Sequence, residues 1–200
     1  MLEYNIKINP QFARNWANTL NKFKIFSLIE YDKIIFLDAD IMILKNIDHL
    51  FNYPHFTSAL DGEYFNIWPD KPHFNAGLLV ISPKKNETKK IQDFAIKVIK
   101  EWDKPQCIAD QEILNLYYSD WINQSELHLN KYYNIFAPYV EEEYLEDIKE
   151  KAYFIHFIGR KPWRNFCKPN YETYSEYFYD MAKEIIQNET NKLNWDQAKK

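Results

Sequence analysis

The stretch Tyr31-Asp32-Lys33-Ile34-Ile35-Phe36-Leu37-Asp38-Ala39-Asp40 joins an unbroken apolar run to two carboxylates one residue apart. Lys33 to Leu37 is too short for a helix and has the continuous apolar character of a strand buried on both faces in a parallel sheet. Chain polarity then puts Asp38 and Asp40 beyond the carboxyl end of that strand, where open α/β sheets hold their ligands. Two oxygen donors at this spacing suit a hard cation such as magnesium, manganese or calcium. The spacing alone is a weak signal, because the thirteen aspartates of this chain produce about 0.8 such pairs by chance. The position at a strand end is what singles this pair out.

Working outward, Phe12, Trp16, Leu20 and Phe23 recur at helical spacings and predict a helix starting near Pro10. Thr57 to Leu60 and Ala76 to Ser82 read as strands, the second stopped by Pro83. Between Asn86 and Lys104, the set Ile91, Phe94, Val98, Ile99 and Trp102 forms a helical stripe. Another helix starts near Asp110 and carries Ile113, Leu114 and Tyr117; Tyr153 to Ile158 is a further strand. Tyr171, Tyr174, Phe178, Met181 and Ile185 mark a C-terminal helix, and Glu141-Glu142-Glu143 reads as a solvated loop or a helix start. Strands alternating with helices predict an α/β layer fold with a mostly parallel central sheet flanked by helices.

The 200 residues are one domain's worth of chain, and 46% hydrophobic with 27% charged composition fits a globular core. A net charge of −4 argues against a sequence-independent grip on nucleic acid. The apolar runs, such as Ile34 to Leu37 and Ala76 to Ile81, fall far short of the ~20 residues that span a bilayer, so no membrane span is expected. The start Met1-Leu2-Glu3-Tyr4 lacks the pattern of a secretory signal. The two cysteines, Cys107 and Cys167, exclude a disulfide framework, and a reducing, cytoplasmic setting is the expectation. Aromatic residues reach 18%, which reads as a ring-rich core rather than a base-stacking surface.

Only three glycines occur, Gly62, Gly77 and Gly159, against roughly fourteen at average usage. All three stand beside polar residues at the ends of expected elements: Asp61-Gly62 follows a strand and Asn75-Ala76-Gly77 opens one. Turn chemistry explains such residues as well as ligand binding does. Asp110-Gln111 falls where a helix begins, the usual place of an N-cap aspartate. His156 lies in the apolar run Phe154-Ile155-His156-Phe157-Ile158, the setting of a hydrogen-bonded core histidine. Yet Gly159, Arg160 and Lys161 follow at once, and an imidazole, a bare backbone and two cations suit a diphosphate and its metal.

Five ordered blocks carry a family resemblance. They are Tyr31 to Asp40, Lys45-Asn46-Ile47-Asp48-His49-Leu50-Phe51, Phe74-Asn75-Ala76-Gly77, Asp110-Gln111-Glu112-Ile113-Leu114-Asn115, and His156-Phe157-Ile158-Gly159-Arg160-Lys161-Pro162-Trp163. In order and approximate spacing they resemble family 8 glycosyltransferases, the group of glycogenin and galactinol synthase. The likeness runs from about residue 18 to 166, leaving 167–200 as a C-terminal helix and tail of a single domain. It implies a GT-A-like fold and transfer of a hexose from a nucleotide sugar, UDP-glucose or UDP-galactose, with retention. It implies Mn2+, or Mg2+, held by Asp38, Asp40 and His156. By the same resemblance Lys22, Asp61, Asn75, Gly77, Asp110 and Gln111 face the donor sugar, with Asp110 and Gln111 in the catalytic roles. Gly159 with Arg160 or Lys161 contacts the diphosphate. The acceptor and any oligomeric state stay open.

Family members carry about one more βαβ unit before the segment matching Phe23 to Asp40, whereas thirty-seven residues precede Asp38 here. The expectation is therefore an N-terminally short domain whose uridine side is incomplete. Glycogenin glucosylates its own tyrosine, and Tyr139 stands near the corresponding point. Two other readings compete: a non-catalytic remnant or regulatory module of the same fold, and a haloacid-dehalogenase-type phosphatase. The phosphatase class wants Thr or Val where Met42 stands, and a later aspartate cluster that this chain does not supply.

Overall fold

The computed structural model describes residues 20–67, 69, 72–101, 108–159, 161–163 and 175–198, with side chains to 189. The expected helix start at Pro10, with Phe12 and Trp16, lies outside the described residues, as do Arg160, Tyr171 and Tyr174. The chain divides into two compact units.

The first unit comprises residues up to Phe36, Asp48–Ser58 and Lys71–His128. It opens with a 3-10 helix, Leu20–Ser27. The α-helix expected here is replaced by this tighter form, whose three-residue period sets Phe23 and Phe26, both fully buried, on one face. Strand β1 (Ile34–Leu37) pairs with β4 (Leu78–Ile81), all four of whose residues are buried. β1 itself is only half-buried along its length, which corrects the expectation of a strand covered on both faces. Among the described residues β4 is its only strand neighbour.

Helix α1 (Glu87–Glu101) places Ile91 and Ala95 on its buried face, packed on the 3-10 helix. Helix α2 (Asp110–Tyr117) buries Ile113 and Leu114. A ring cluster of Phe26, Phe56, Phe74, Tyr118 and Trp121 fills the space beside them, with Phe56 and Tyr118 stacked at 3.6 Å. Phe56 holds a left-handed backbone, φ 66°, costly for a bulky residue. It is held there by its amide donating to the Val80 carbonyl at 2.7 Å and by the Trp121 indole donating to its carbonyl at 2.9 Å.

The second unit comprises Leu37–Ile47, Ala59–Asp70 and the chain from Leu129. Strands β2 (Ile41–Ile43), β6 (Ile135–Phe136) and β7 (Phe154–His156) form a sheet in the order β2-β7-β6. The remaining strands among the described residues, β3 (Ser58–Ala59) and β5 (His128–Leu129), have two residues each and fall where the chain passes from the first unit to the second. β6 and β7 run parallel, joined through helix α3 (Leu145–Lys151), the crossover that parallel pairing requires. β2 runs antiparallel to β7, so this sheet is mixed where a mostly parallel one was expected. Helix α4 (Tyr177–Ala198) sends Phe178, Tyr179 and Ala182 into the same core as Ile135, Ile148, Ile155 and Phe157. The glutamates at 142 and 143 begin a 3-10 turn leading into α3, the helix-start reading of that acidic run.

Candidate active site

Asp38-Ala39-Asp40-Ile41 is a tight turn, closed by the Ile41 amide donating to the Asp38 carbonyl at 3.1 Å. It leads straight into β2, whose register sets Ile41 opposite His156. The Phe157 amide donates to the Asp40 carbonyl at 2.9 Å, fastening the turn to the end of β7. His156 Nε2 consequently lies 3.4 Å from Asp40 Oδ1. One ligand atom each from Asp38, Asp40 and His156 falls within 4.8 Å of the others, the only such trio of His, Cys, Asp or Glu among the described residues.

His156 is buried, and its Nδ1 stands 3.1 Å from Asn134 Oδ1, with the Phe136 ring edge-on at 5.8 Å. It is thus a hydrogen-bonded core histidine and a member of the trio at once. Lys161 donates to Asp40 Oδ2, and to the Phe157 carbonyl at 2.7 Å. Burial pushes the Asp40 carboxyl up, but hydrogen bonds from His156 and Lys161 outweigh it and hold the group well below the usual carboxylate range. Two carboxylates and an imidazole fit a hard to borderline divalent cation such as Mn2+ or Mg2+. Gly159 sits in an exposed turn with φ +65°, the left-handed region that favours glycine, between His156 and Lys161.

A second group of the expected residues converges in the first unit. Lys22 Nζ lies 2.5 Å from Asp110 Oδ2 and donates to the Ala76 carbonyl at 3.1 Å. The Ala76 amide donates to Gln111 Oε1 at 3.0 Å, and the Gly77 amide to Asn75 Oδ1 at 2.9 Å. Lys22, Asn75, Gly77, Asp110 and Gln111 are therefore linked through one short backbone segment. Asp110 is not the helix cap that its position suggested. Ala109 holds the N-cap position, its amide donating to Glu112 Oε2 at 2.7 Å, and this leaves the Asp110 carboxylate to Lys22. Asp61 stands in the second unit, one residue before the left-handed Gly62, and is not a member of the metal-competent trio.

Two residues of these groups were given no role in the reading of the sequence, although Asn115 lies in the Asp110 to Asn115 block. Asn115 brackets Phe74, accepting from its amide at 3.1 Å and donating to its carbonyl at 3.0 Å, which fixes the segment that carries Asn75 to Gly77. Asn134 is the other. Its one signal is a lone amide in the otherwise apolar run Tyr132 to Phe136.

This arrangement belongs to the GT-A glycosyltransferase fold. The structure of the glycosyltransferase GlyE of Streptococcus pneumoniae TIGR4 matches with a TM-score of 0.54 and 23% identity, over 82% of this chain and 43% of that one. A galactosyltransferase, LgtC, solved with donor and acceptor sugar analogues, matches with a TM-score of 0.50 and 19% identity, over 80% and 68%. The family model of glycosyl transferase family 8 matches residues 4–167, and the chain belongs to that family. Glycogenin-1 of Caenorhabditis elegans is 34% identical over 149 residues, 72% of this chain and 32% of the relative. UDP-glucuronate:xylan alpha-glucuronosyltransferase 1 of Arabidopsis thaliana is 30% identical over 191 residues, 87% of this chain and 26% of the relative. The chain thus spans about a quarter to a third of the length of these curated relatives.

Proposed function

We propose that this chain moves a hexosyl group from a UDP-sugar, UDP-glucose or UDP-galactose, to an acceptor hydroxyl with retention at the anomeric carbon. The observation that carries the reading is the convergence of Asp38, Asp40 and His156 from distant parts of the sequence to within 4.8 Å. These three residues would hold Mn2+ or Mg2+, which when bound supplies Lewis-acid stabilisation to a diphosphate leaving group. Lys161, whose ammonium already reaches this carboxylate cluster, neutralises phosphate charge as a compact cation. In the first unit, the Asp110 carboxylate is paired with Lys22 and suits stabilisation of an electron-poor sugar carbon. Gln111, fixed by the Ala76 amide, and Asn75 supply hydrogen bonds to sugar hydroxyls.

Calorimetric titration of UDP, UDP-glucose and UDP-galactose, with and without Mn2+, tests the reading. The expected result is a Mn2+-dependent UDP signal in the parent chain that is abolished by chelation. Asp40→Asn should weaken it about 100-fold, in line with removal of one charged ligand. Folded parent protein that gives no heat with UDP under either condition would overturn the transferase and favour a non-catalytic module.

A further inference from the structure

We infer that Asn134 is a positioning residue for His156, fixing which imidazole nitrogen is presented to Asp38 and Asp40. The inference rests on the metal reading proposed above. Asn134 stands immediately before β6, whose parallel register with β7 sets Phe136 against His156. Side chains two apart on a strand share a face, so Asn134 and Phe136 project together on the side of β6 that His156 occupies. There Asn134, 3% exposed, brings Oδ1 to 3.1 Å from His156 Nδ1.

A carboxamide oxygen only accepts, so Nδ1 carries a hydrogen; Nε2, which without a cation can donate to Asp40, is then the nitrogen whose lone pair is free to face a cation once one is held. Nε2 is the nitrogen 3.4 Å from Asp40 Oδ1, within the trio able to hold a cation. The opposite tautomer would set two lone pairs against each other at Nδ1 and aim an N–H at the cation. The edge-on Phe136 ring limits rotation of the imidazole away from this alignment.

The amide nitrogen of Asn134 supplies a second observation. Nδ2 is buried with no hydrogen-bond partner. An unmet buried donor is costly, and native chains keep few of them. Turning the amide over would aim Nδ2 at the imidazole and meet that donor. It would also move the ring hydrogen to Nε2, where it blocks the cation. Oδ1 toward Nδ1 is thus the arrangement that leaves Nε2 open to a cation.

The test uses the full chain and Mn2+ alone, with affinity read from the electron paramagnetic resonance of free Mn2+. Electron spin-echo modulation from a directly coordinated nitrogen reports the imidazole. Asn134→Leu should weaken Mn2+ about 10–100-fold, the range for loss of a ligand's orienting partner, and should diminish the nitrogen modulation. Asn134→Asp keeps an acceptor oxygen and should retain the modulation, a rescue that a merely structural role would not produce. Asn134→Ser answers the same question should Asn134→Leu not fold, because its short side chain withdraws the acceptor from Nδ1. Leucine or serine variants with the parent affinity and modulation would overturn the inference while leaving the metal site standing. Loss of modulation in Asn134→Asp as complete as in Asn134→Leu would overturn it too. A parent chain that binds no Mn2+ would remove the metal reading itself, and this inference with it.

Discussion

Gly62 and Gly159 share nearly the same left-handed backbone, φ +63° and +65°, but not the same surroundings. A Cβ at Gly62 would come 2.9 Å from Ile67 Cβ, whereas one at Gly159 meets nothing within 4 Å. Gly159→Ala should therefore cost only the conformational term, about 1–2 kcal/mol. Gly62→Ala should add steric overlap and cost about 2–4 kcal/mol in all. Urea midpoints compare the two, and equal losses would show that Ile67 gives way freely. The ion pair of Lys22 and Asp110 is the other residue-scale test, both side chains being 12% exposed. Lys22→Met strands a largely buried carboxylate and should destabilise by about 2–4 kcal/mol. Adding Asp110→Leu should recover much of that loss, since the remaining charge is then gone. A double mutant less stable than Lys22→Met would show that the carboxylate contributes through other partners.

At the scale of elements, α2 is tied to the segment before β4 by Asn115. Its side chain makes both hydrogen bonds to Phe74 and also donates to the Gln111 carbonyl at 2.9 Å. Asn115→Ala should cost about 2 kcal/mol and speed amide exchange at Phe74 and Ala76. Unchanged exchange there would mean that the remaining bonds, from Ser58 to the Asn75 carbonyl at 2.8 Å and between Gln111 and the Ala76 amide at 3.0 Å, hold the segment without Asn115. The elements legible in the sequence are those whose period is long enough to repeat. The stripe through Ile91 and Phe94 became α1, and the runs around Val80 and Ile155 became β4 and β7. β6 has two residues, too few for any period, and Ile135 and Phe136 gain their role only through pairing with Ile155 and His156. Asp38 and Asp40 were legible because a strand end aims its neighbours at a site. The Lys22 group could be anticipated through family resemblance alone, because its residues meet around the Ala76 peptide and share no spacing. Asn134 had only the weak signature of a lone amide in an apolar run, since what defines it is a contact across strands.

For the molecule as a whole, the net charge of −4 at neutral pH falls away with acid, but stability follows individual groups rather than the total. Burial foremost, with Lys84 and Lys33 adding and Glu87 opposing, pushes the His55 imidazole down from 6.5 to about 4. Its Nδ1 accepts from the Ser82 amide at 3.1 Å, which requires the neutral ring. Between those two pH values the unfolded chain binds more protons than the folded one, so stability rises with pH across that window. The contribution is fully present above pH 6.5 and is lost as pH falls to about 4. Discounted for the ring's remaining contact with water, it amounts to about 1–2 kcal/mol. Carboxyls act in a lower window. Asp40 is held below its ordinary value of 3.8, and hydrogen bonds from Lys151 and Tyr64 bring Asp147 to about 2. Their contributions are present above the ordinary carboxyl value and disappear below it. The stability profile should therefore be flat from pH 6.5 until the tyrosines begin to ionise, decline gently from pH 6.5 down to pH 4 and fall more steeply below that. His55→Asn keeps an oxygen for the Ser82 amide and does not titrate. Urea unfolding across the range should show the gentle limb flattened and the acid limb unchanged, and a gentle limb surviving in the variant would place that proton uptake on a different group.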